Sequence, residues 1–221
     1  MLALCLEQLE VRFPGLAVAA LDIPAVALEA GELVAVTGPS GCGKTTLVNM
    51  LTGMERPTSG RIMWSGTDLA AMTETQRDKW RSRNVGLVMQ DFHLFAGLSA
   101  LDNVLLPQRL ARLSLPAGMK EGAQALLARV GIERLDQPIE TMSRGQMQRV
   151  AVARALVGKP GLIVADEPTA SLDAVAGAAV TDLLIELSGE TGATLIVASH
   201  DSRLIGRLDR ILRLENGQLL S

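Results

Sequence analysis

Eight consecutive residues carry the most chemistry in this chain: Gly38, Pro39, Ser40, Gly41, Cys42, Gly43, Lys44 and Thr45. Glycines at both ends of the loop let backbone N–H groups close around an anion. Lys44 brings a mobile positive charge, and the Thr45 hydroxyl suits a hard cation. Thr46 is the next residue into the helix expected to follow, whose first turn adds partial positive charge. Such a loop cradles the phosphates of a nucleotide. A second pair, Asp166 and Glu167, closes the apolar run Leu162-Ile163-Val164-Ala165. A strand would carry both carboxylates to the edge of a sheet, where open α/β sheets bind ligands. Neighbouring strand residues point to opposite faces. The two are therefore expected to divide the work, Asp166 holding Mg2+ through water and Glu167 polarising the water that attacks the γ-phosphate.

Ser143-Arg144-Gly145-Gln146 stands ahead of the helical run Met147-Gln148-Arg149-Val150-Ala151-Val152-Ala153-Arg154-Ala155-Leu156. A serine hydroxyl and free amides at a helix start form an anion site as well as an N-cap. Gln90 closes the short apolar run Val85–Met89, and His200, one of two histidines, follows Ile196-Val197-Ala198-Ser199. Each of these alone is an ordinary polar strand terminus.

The elements that must position these groups are legible from periodicity. Alternation at Leu2, Leu4 and Leu6, then Leu9, Val11 and Phe13, with Ala25–Leu28 and Leu33–Val36, makes the amino-terminal part strand-rich. Lys44 to Thr52 reads as a helix stopped by Gly53. From about Ser99 to Gly158 the pattern is helical, broken by Pro107, Pro116 and Pro138. Strands return at Leu162–Ala165 and Thr194–Ala198 with helix between, the alternation of a mostly parallel sheet. Arg210–Leu214 and Gln218–Leu220 form a hairpin around Asn216-Gly217.

Composition bounds the function classes. At 221 residues the chain suits one α/β domain. Its net charge of -3 gives no basic footprint for nucleic acid. The cluster Arg77, Lys79, Arg81 and Arg83 reads as a solvated helix face. No apolar run approaches the roughly 18 to 20 residues of a membrane-spanning helix. The start lacks a charged leader, and the two cysteines, Cys5 and Cys42, form no disulfide framework, so a cytoplasmic location is expected.

Taken together, the phosphate loop, the Asp166-Glu167 strand end, His200 and the dozen residues from Gly145 to Leu156 resemble the ATPase subunit of ATP-binding cassette (ABC) systems over nearly the whole chain. The resemblance implies a P-loop NTPase core with a mostly parallel sheet, an N-terminal antiparallel β subdomain and an inserted helical lobe. Within a single domain over 1–221, the core would span about 1–90 and 159–221 and the lobe about 91–158. It implies ATP and Mg2+ as cofactors. Thr45, Gln90 and Asp166 would face the metal, and Lys44, Glu167, His200 and Gln90 the reacting phosphate and water. Phe13 would stack on adenine. Ser143, Gly145 and Gln146 would be a signature that meets the nucleotide of a second subunit, either another copy or a homologous ATPase. Ser171-Leu172-Asp173 would cross that seam. Two positions depart from the family pattern: Met142 replaces the usual leucine and Arg144 the first glycine. Arg144 is expected to contact the partner's phosphates.

The same resemblance implies docking on an integral membrane permease, which would hold the protein at the inner face of the membrane. The region after Gln90 would form the groove for a cytoplasmic helix of that permease, with Phe92, Leu94, Phe95, Leu98 and Leu101 as its apolar surface. Phe13-Pro14-Gly15, Pro57-Thr58-Ser59-Gly60 and Leu98–Val104 are similar to the small ATPases of the lipoprotein-releasing and macrolide-exporting group. The alternative, a soluble ABC ATPase acting on nucleic acid or ribosomes, would ordinarily carry two cassettes or a long coiled coil between Lys44 and Met142, and this chain has neither.

Overall fold

The computed structural model describes residues 2–220; Met1 and Ser221, which bear on the chain's start and end, lie outside them. The chain begins with β1 (Leu4–Val11) and β2 (Leu21–Leu28), whose apolar residues alternate inward. The alternation slips once, from Leu6 to Leu9. Gln8 takes a left-handed φ of 48°, and the pairing of β1 shifts register between Glu7 and Glu10. That bulge returns Leu9 and Val11 to the core face. Phe13 lies beyond the strand, in the loop that leads to β2.

β3 (Leu33–Thr37) enters the glycine loop, and α1 (Lys44–Leu51) leaves it. Next come β4 (Ser59–Trp64) and the two-residue β5 (Thr67–Asp68). α2 (Glu74–Asn84) opens with a capping box in which Thr73 and Gln76 satisfy each other's backbone N–H. Arg77 of α2 is buried rather than solvated, donating to Gly53 O and Met72 O, and Arg81 also donates to Gly53 O. Half of the basic cluster therefore serves the carboxyl end of α1, whose last carbonyls have no helical partner. Trp64 adds to this by donating to Leu51 O.

β6 (Val85–Val88) is shorter than its apolar run suggests. Gln90 does not close the strand but sits in a turn two residues past it. After β6 the chain is helical: α3 (Ala100–Ala111), α4 (Met119–Arg129), a single 3-10 turn at Ile139–Thr141, and α5 (Arg144–Leu156). Pro107 does not break α3 but lies inside it. The buried Val104, Leu105 and Gln108 hold the helix across the missing N–H. The expected apolar surface after Gln90 is mostly core: Phe92 is buried, Leu94 and Leu101 pack against the interior, and Phe95 is exposed.

β7 (Leu162–Asp166), α6 (Ala174–Thr191), β8 (Thr194–Ala198), α7 (Ser202–Ile205), β9 (Arg210–Glu215) and β10 (Gln218–Leu220) complete the chain. The last two form the expected hairpin, with Asn216 and Gly217 both at positive φ. One sheet has the order β2-β1-β4-β5 and is antiparallel. The other has the order β10-β9-β3-β8-β7-β6 and is parallel except at β10. The period of two divides its central residues between two cores. Ile163, Ala165, Leu195 and Val197 face the helices α3 to α6, whereas Leu162, Val164, Ile196 and Ala198 face α1 and the antiparallel sheet. Parallel strands covered on both faces read as unbroken apolar runs, as these do.

Candidate functional site

The register of the parallel sheet decides which polar residues meet. Val36 pairs with Ala198, Ala198 with Asp166, and Ala165 with Val88. The carboxyl ends of β3, β8, β7 and β6 therefore align. They place the glycine loop, Ser199-His200, Asp166-Glu167 and Gln90 along one edge.

The loop itself is shaped by contacts that exclude a side chain. A Cβ on Gly38 would stand 2.0 Å from Leu214 O, so the loop packs directly on the backbone of β9. Gly41 meets nothing within 4 Å, but its φ of 77° is one that glycine adopts without strain. Pro39 and Ser40 are exposed along the loop, while Cys42 is buried beneath it as a free thiol. Lys44 Nζ bridges the loop, donating to Gly38 O at 2.8 Å and Pro39 O at 3.1 Å. It closes the ring that a phosphate would occupy. Thr46 is half-buried one residue further into α1.

Thr45 Oγ1 donates to Asp166 Oδ2 at 3.2 Å, joining the first turn of α1 to the end of β7. Burial pushes the Asp166 carboxyl above its ordinary range, and the adjacent Glu167 charge pushes the same way. The Thr45 bond and the Lys44 charge oppose this. A carboxylate in that setting gains from a cation beside it. A hydroxyl and a carboxylate side by side are hard oxygen donors of the kind Mg2+ takes alongside phosphate oxygens and water. The residues present thus fit a magnesium ion.

Glu167 adopts a left-handed φ of 47°, and its N–H bonds to Ala198 O at 2.8 Å. This turn redirects its side chain relative to the strand, at a strain that functional residues commonly carry. Ser199 Oγ donates to Glu167 Oε2 at 3.2 Å, and His200 Nδ1 lies 2.8 Å from Glu167 Oε1. The carboxylate is held from two sides while the His200 ring stays exposed. Ser199 was not singled out from sequence, although its place one residue before His200 at a strand end was the available signal.

Ser143, Gly145 and Gln146 lie elsewhere. Ser143 Oγ accepts from Gln146 N–H at 3.2 Å, and Gln146 Oε1 accepts from Ser143 N–H at 2.9 Å. That capping box leaves the hydroxyl proton of Ser143 free to donate. The amides of Arg144 and Gly145, in the first turn, have no carbonyl within the helix to bond. Ser143, Arg144 and Gly145 line an open cavity of about 860 Å³ with Ser171, Leu172 and Asp173, and the glycine loop contributes no wall to it. Asp173 caps α6 through Ala176 N–H at 2.8 Å. Phe13 is half-exposed in the β1–β2 loop, whose far end approaches the glycine loop: a Cβ on Gly43 would stand 2.9 Å from Ala20 O. The single chain thus brings together the phosphate loop, Asp166, Glu167 and His200, and leaves the serine-capped helix on another face. Arg144 points its guanidinium over the Phe92 ring, 5.2 Å from the centroid, a partner that sequence did not suggest.

Residues 21–170 match the family model described as ABC transporter. The lipoprotein-releasing system ATP-binding protein LolD of Idiomarina loihiensis is 43% identical over 87% of this chain and 85% of its own. The ABC transporter ATP-binding protein YbbA of Escherichia coli is 46% identical over 86% of this chain and 83% of its own. Among solved structures, a dimeric ATP-binding cassette in a post-hydrolysis state with ADP and Pi superposes with a TM-score of 0.88 at 30% identity, covering 99% of this chain and 97% of the other. On that family match and those similarities, the chain belongs to the ABC transporter family as an ATP-binding, ATP-hydrolysing subunit.

Proposed function

We propose that two copies of this chain, or one copy and a homologous ATPase, close around two ATP molecules and drive a separate membrane permease of the lipoprotein-releasing or related mechanotransmission type. The observation that carries this reading is the alignment at one sheet edge of Lys44, the Thr45–Asp166 pair and the Glu167–His200 pair. The signature serine lies on a face those groups do not reach within the chain. Each half-site then completes the other.

In this scheme the backbone N–H groups of the Gly38–Thr45 loop other than Pro39, with Lys44 and Thr46, hold the phosphates, and Phe13 covers the adenine. Thr45, Asp166 and Gln90 would hold Mg2+, whose charge offsets that of the β- and γ-phosphates. Glu167 orients and deprotonates the attacking water. His200 keeps Glu167 in place and reaches the γ-phosphate. Ser143, Gly145 and Gln146 present the signature's hydroxyl and amides to the ATP of the facing subunit. No helix among the described residues is long and apolar enough to cross a membrane. Attachment at the inner face would therefore run through the permease.

Glu167→Gln tests the scheme. It should bind ATP, form a dimer visible by light scattering only with ATP, and lose turnover by about 100-fold or more. Turnover at the wild-type rate would remove Glu167 from the water site, and a monomer under both conditions would remove the composite site.

A further inference from the structure

Arg144 stands where the family pattern has glycine, and although the residue is exposed its guanidinium lies over the Phe92 ring, 5.2 Å from the centroid. Phe92 is buried and belongs to a strained segment: Phe92 and His93 both sit at positive φ, 59° and 47°, a region that bulky side chains rarely enter. Two arginines of α5 hold it. Arg154, in the last turn, donates to Phe92 O at 2.6 Å and to His93 O. Arg144, the first residue of the helix, takes the ring. The Arg154 grip is on carbonyls and would hold any side chain; the Arg144 contact requires both an aromatic ring and a cation. A positive charge at a helix N-terminus is otherwise unfavourable, and stacking on Phe92 compensates for it.

We propose that Arg144 is a positioning residue for Gln90. By holding the ring two residues beyond Gln90 against the amino end of α5, it keeps that glutamine at the catalytic edge and links it to Ser143, the adjacent cap. Arg144 touches neither nucleotide nor water in this role. The proposal rests on the assignment of Gln90 to the metal and water site.

The test uses the full chain. Arg144→Gln keeps the aliphatic stem and removes the charge, Arg144→Lys keeps a cation, and Phe92→Leu removes the ring. Arg144→Gln should speed amide hydrogen exchange across residues 91–95, leave the sheet unchanged, and lower kcat about two- to fivefold, the worth of an exposed cation–π contact. The KM for ATP should stay the same, Arg144→Lys should recover most of the loss, and Arg144→Gln with Phe92→Leu should be no slower than Phe92→Leu alone. Unchanged exchange at 91–95 in Arg144→Gln, or losses that multiply in the double variant, would overturn the proposal. So would a weakened ATP-driven dimer in Arg144→Gln with a normal one in Phe92→Leu, because Arg144 would then be serving a phosphate. Gln90→Ala at the wild-type rate would strike the Gln90 assignment instead, and the exchange comparison would still judge the Arg144–Phe92 contact.

Discussion

Asp166 holds its place against an electrostatic cost. Its carboxyl is buried at the end of β7 beside Glu167, and the Thr45 hydroxyl and Lys44 charge offset that only in part. Its folded-state pKa is raised, so the folded chain keeps the proton to higher pH than the unfolded chain does. The ionised group therefore subtracts from stability, and stability falls as pH rises through the unfolded and then the folded value. Asp166→Asn should raise the melting temperature of the nucleotide-free protein at neutral pH. It should also abolish Mg2+-dependent hydrolysis. The gain over wild type should shrink as the pH is lowered and Asp166 becomes neutral; differential scanning fluorimetry across the acid range reads both effects, and a variant less stable at neutral pH contradicts the argument. Residues whose chemistry is local, such as Gly38 to Thr45, were legible in sequence because each type has its own reason to be there. Arg144 and Phe92 were not. Their meeting depends on how α5 packs over the turn after β6, which no local pattern encodes.

Among elements, the central strands were legible and their ends were not. Val85–Met89 reads as strand throughout, yet pairing with β7 stops at Val88 because the chain turns there into the left-handed Phe92-His93 segment. Pro107 inside α3 shows tertiary packing overriding a breaker. α2 reads from its basic residues only as a solvated face, since it is largely polar and carries no apolar period, although Thr73 and Gln76 spell its capping box. Its function is to finish α1. Arg77 satisfies Gly53 O and Met72 O while buried, so Arg77→Ala should cost about 2 kcal/mol and lower the melting temperature by about 4–8 °C. Arg83→Ala, exposed on the same helix, should stay within about 0.5 kcal/mol of wild type. Equal effects for the two would mean that α2 does not cap α1 through Arg77.

For the whole molecule, concavities remain beyond the sheet edge and the signature face, one of them beside β6. A groove of about 530 Å³ runs beside β6, lined by Met54, Leu87, Met89 and Pro107 with Arg81, Arg83 and Arg154. Sequence placed the permease helix on the apolar residues after Gln90, but of these Phe92 is buried and Leu94 and Leu101 pack into the core, and none of them lines the groove. Of these residues Phe95 is exposed and Phe92 buried, a division the sequence could not give because a loop's apolar residues carry no period that tells inside from outside. We propose this groove as the permease's seat instead. Its floor is apolar, the exposed Arg83 stands on its rim beside the Arg81–Asp78 ion pair, and Arg154 on its wall holds the turn after Gln90. A short helix with an apolar face and acidic flanks would fill it, placing the permease beside Gln90. Met54→Asp should therefore abolish co-purification with the permease and stimulation of hydrolysis by it, and leave basal ATPase within about twofold, since Met54 is a half-exposed surface residue. Phe95→Asp should do neither. If Phe95→Asp disrupts the complex and Met54→Asp does not, the permease sits on the turn itself and the groove beside β6 is not its seat.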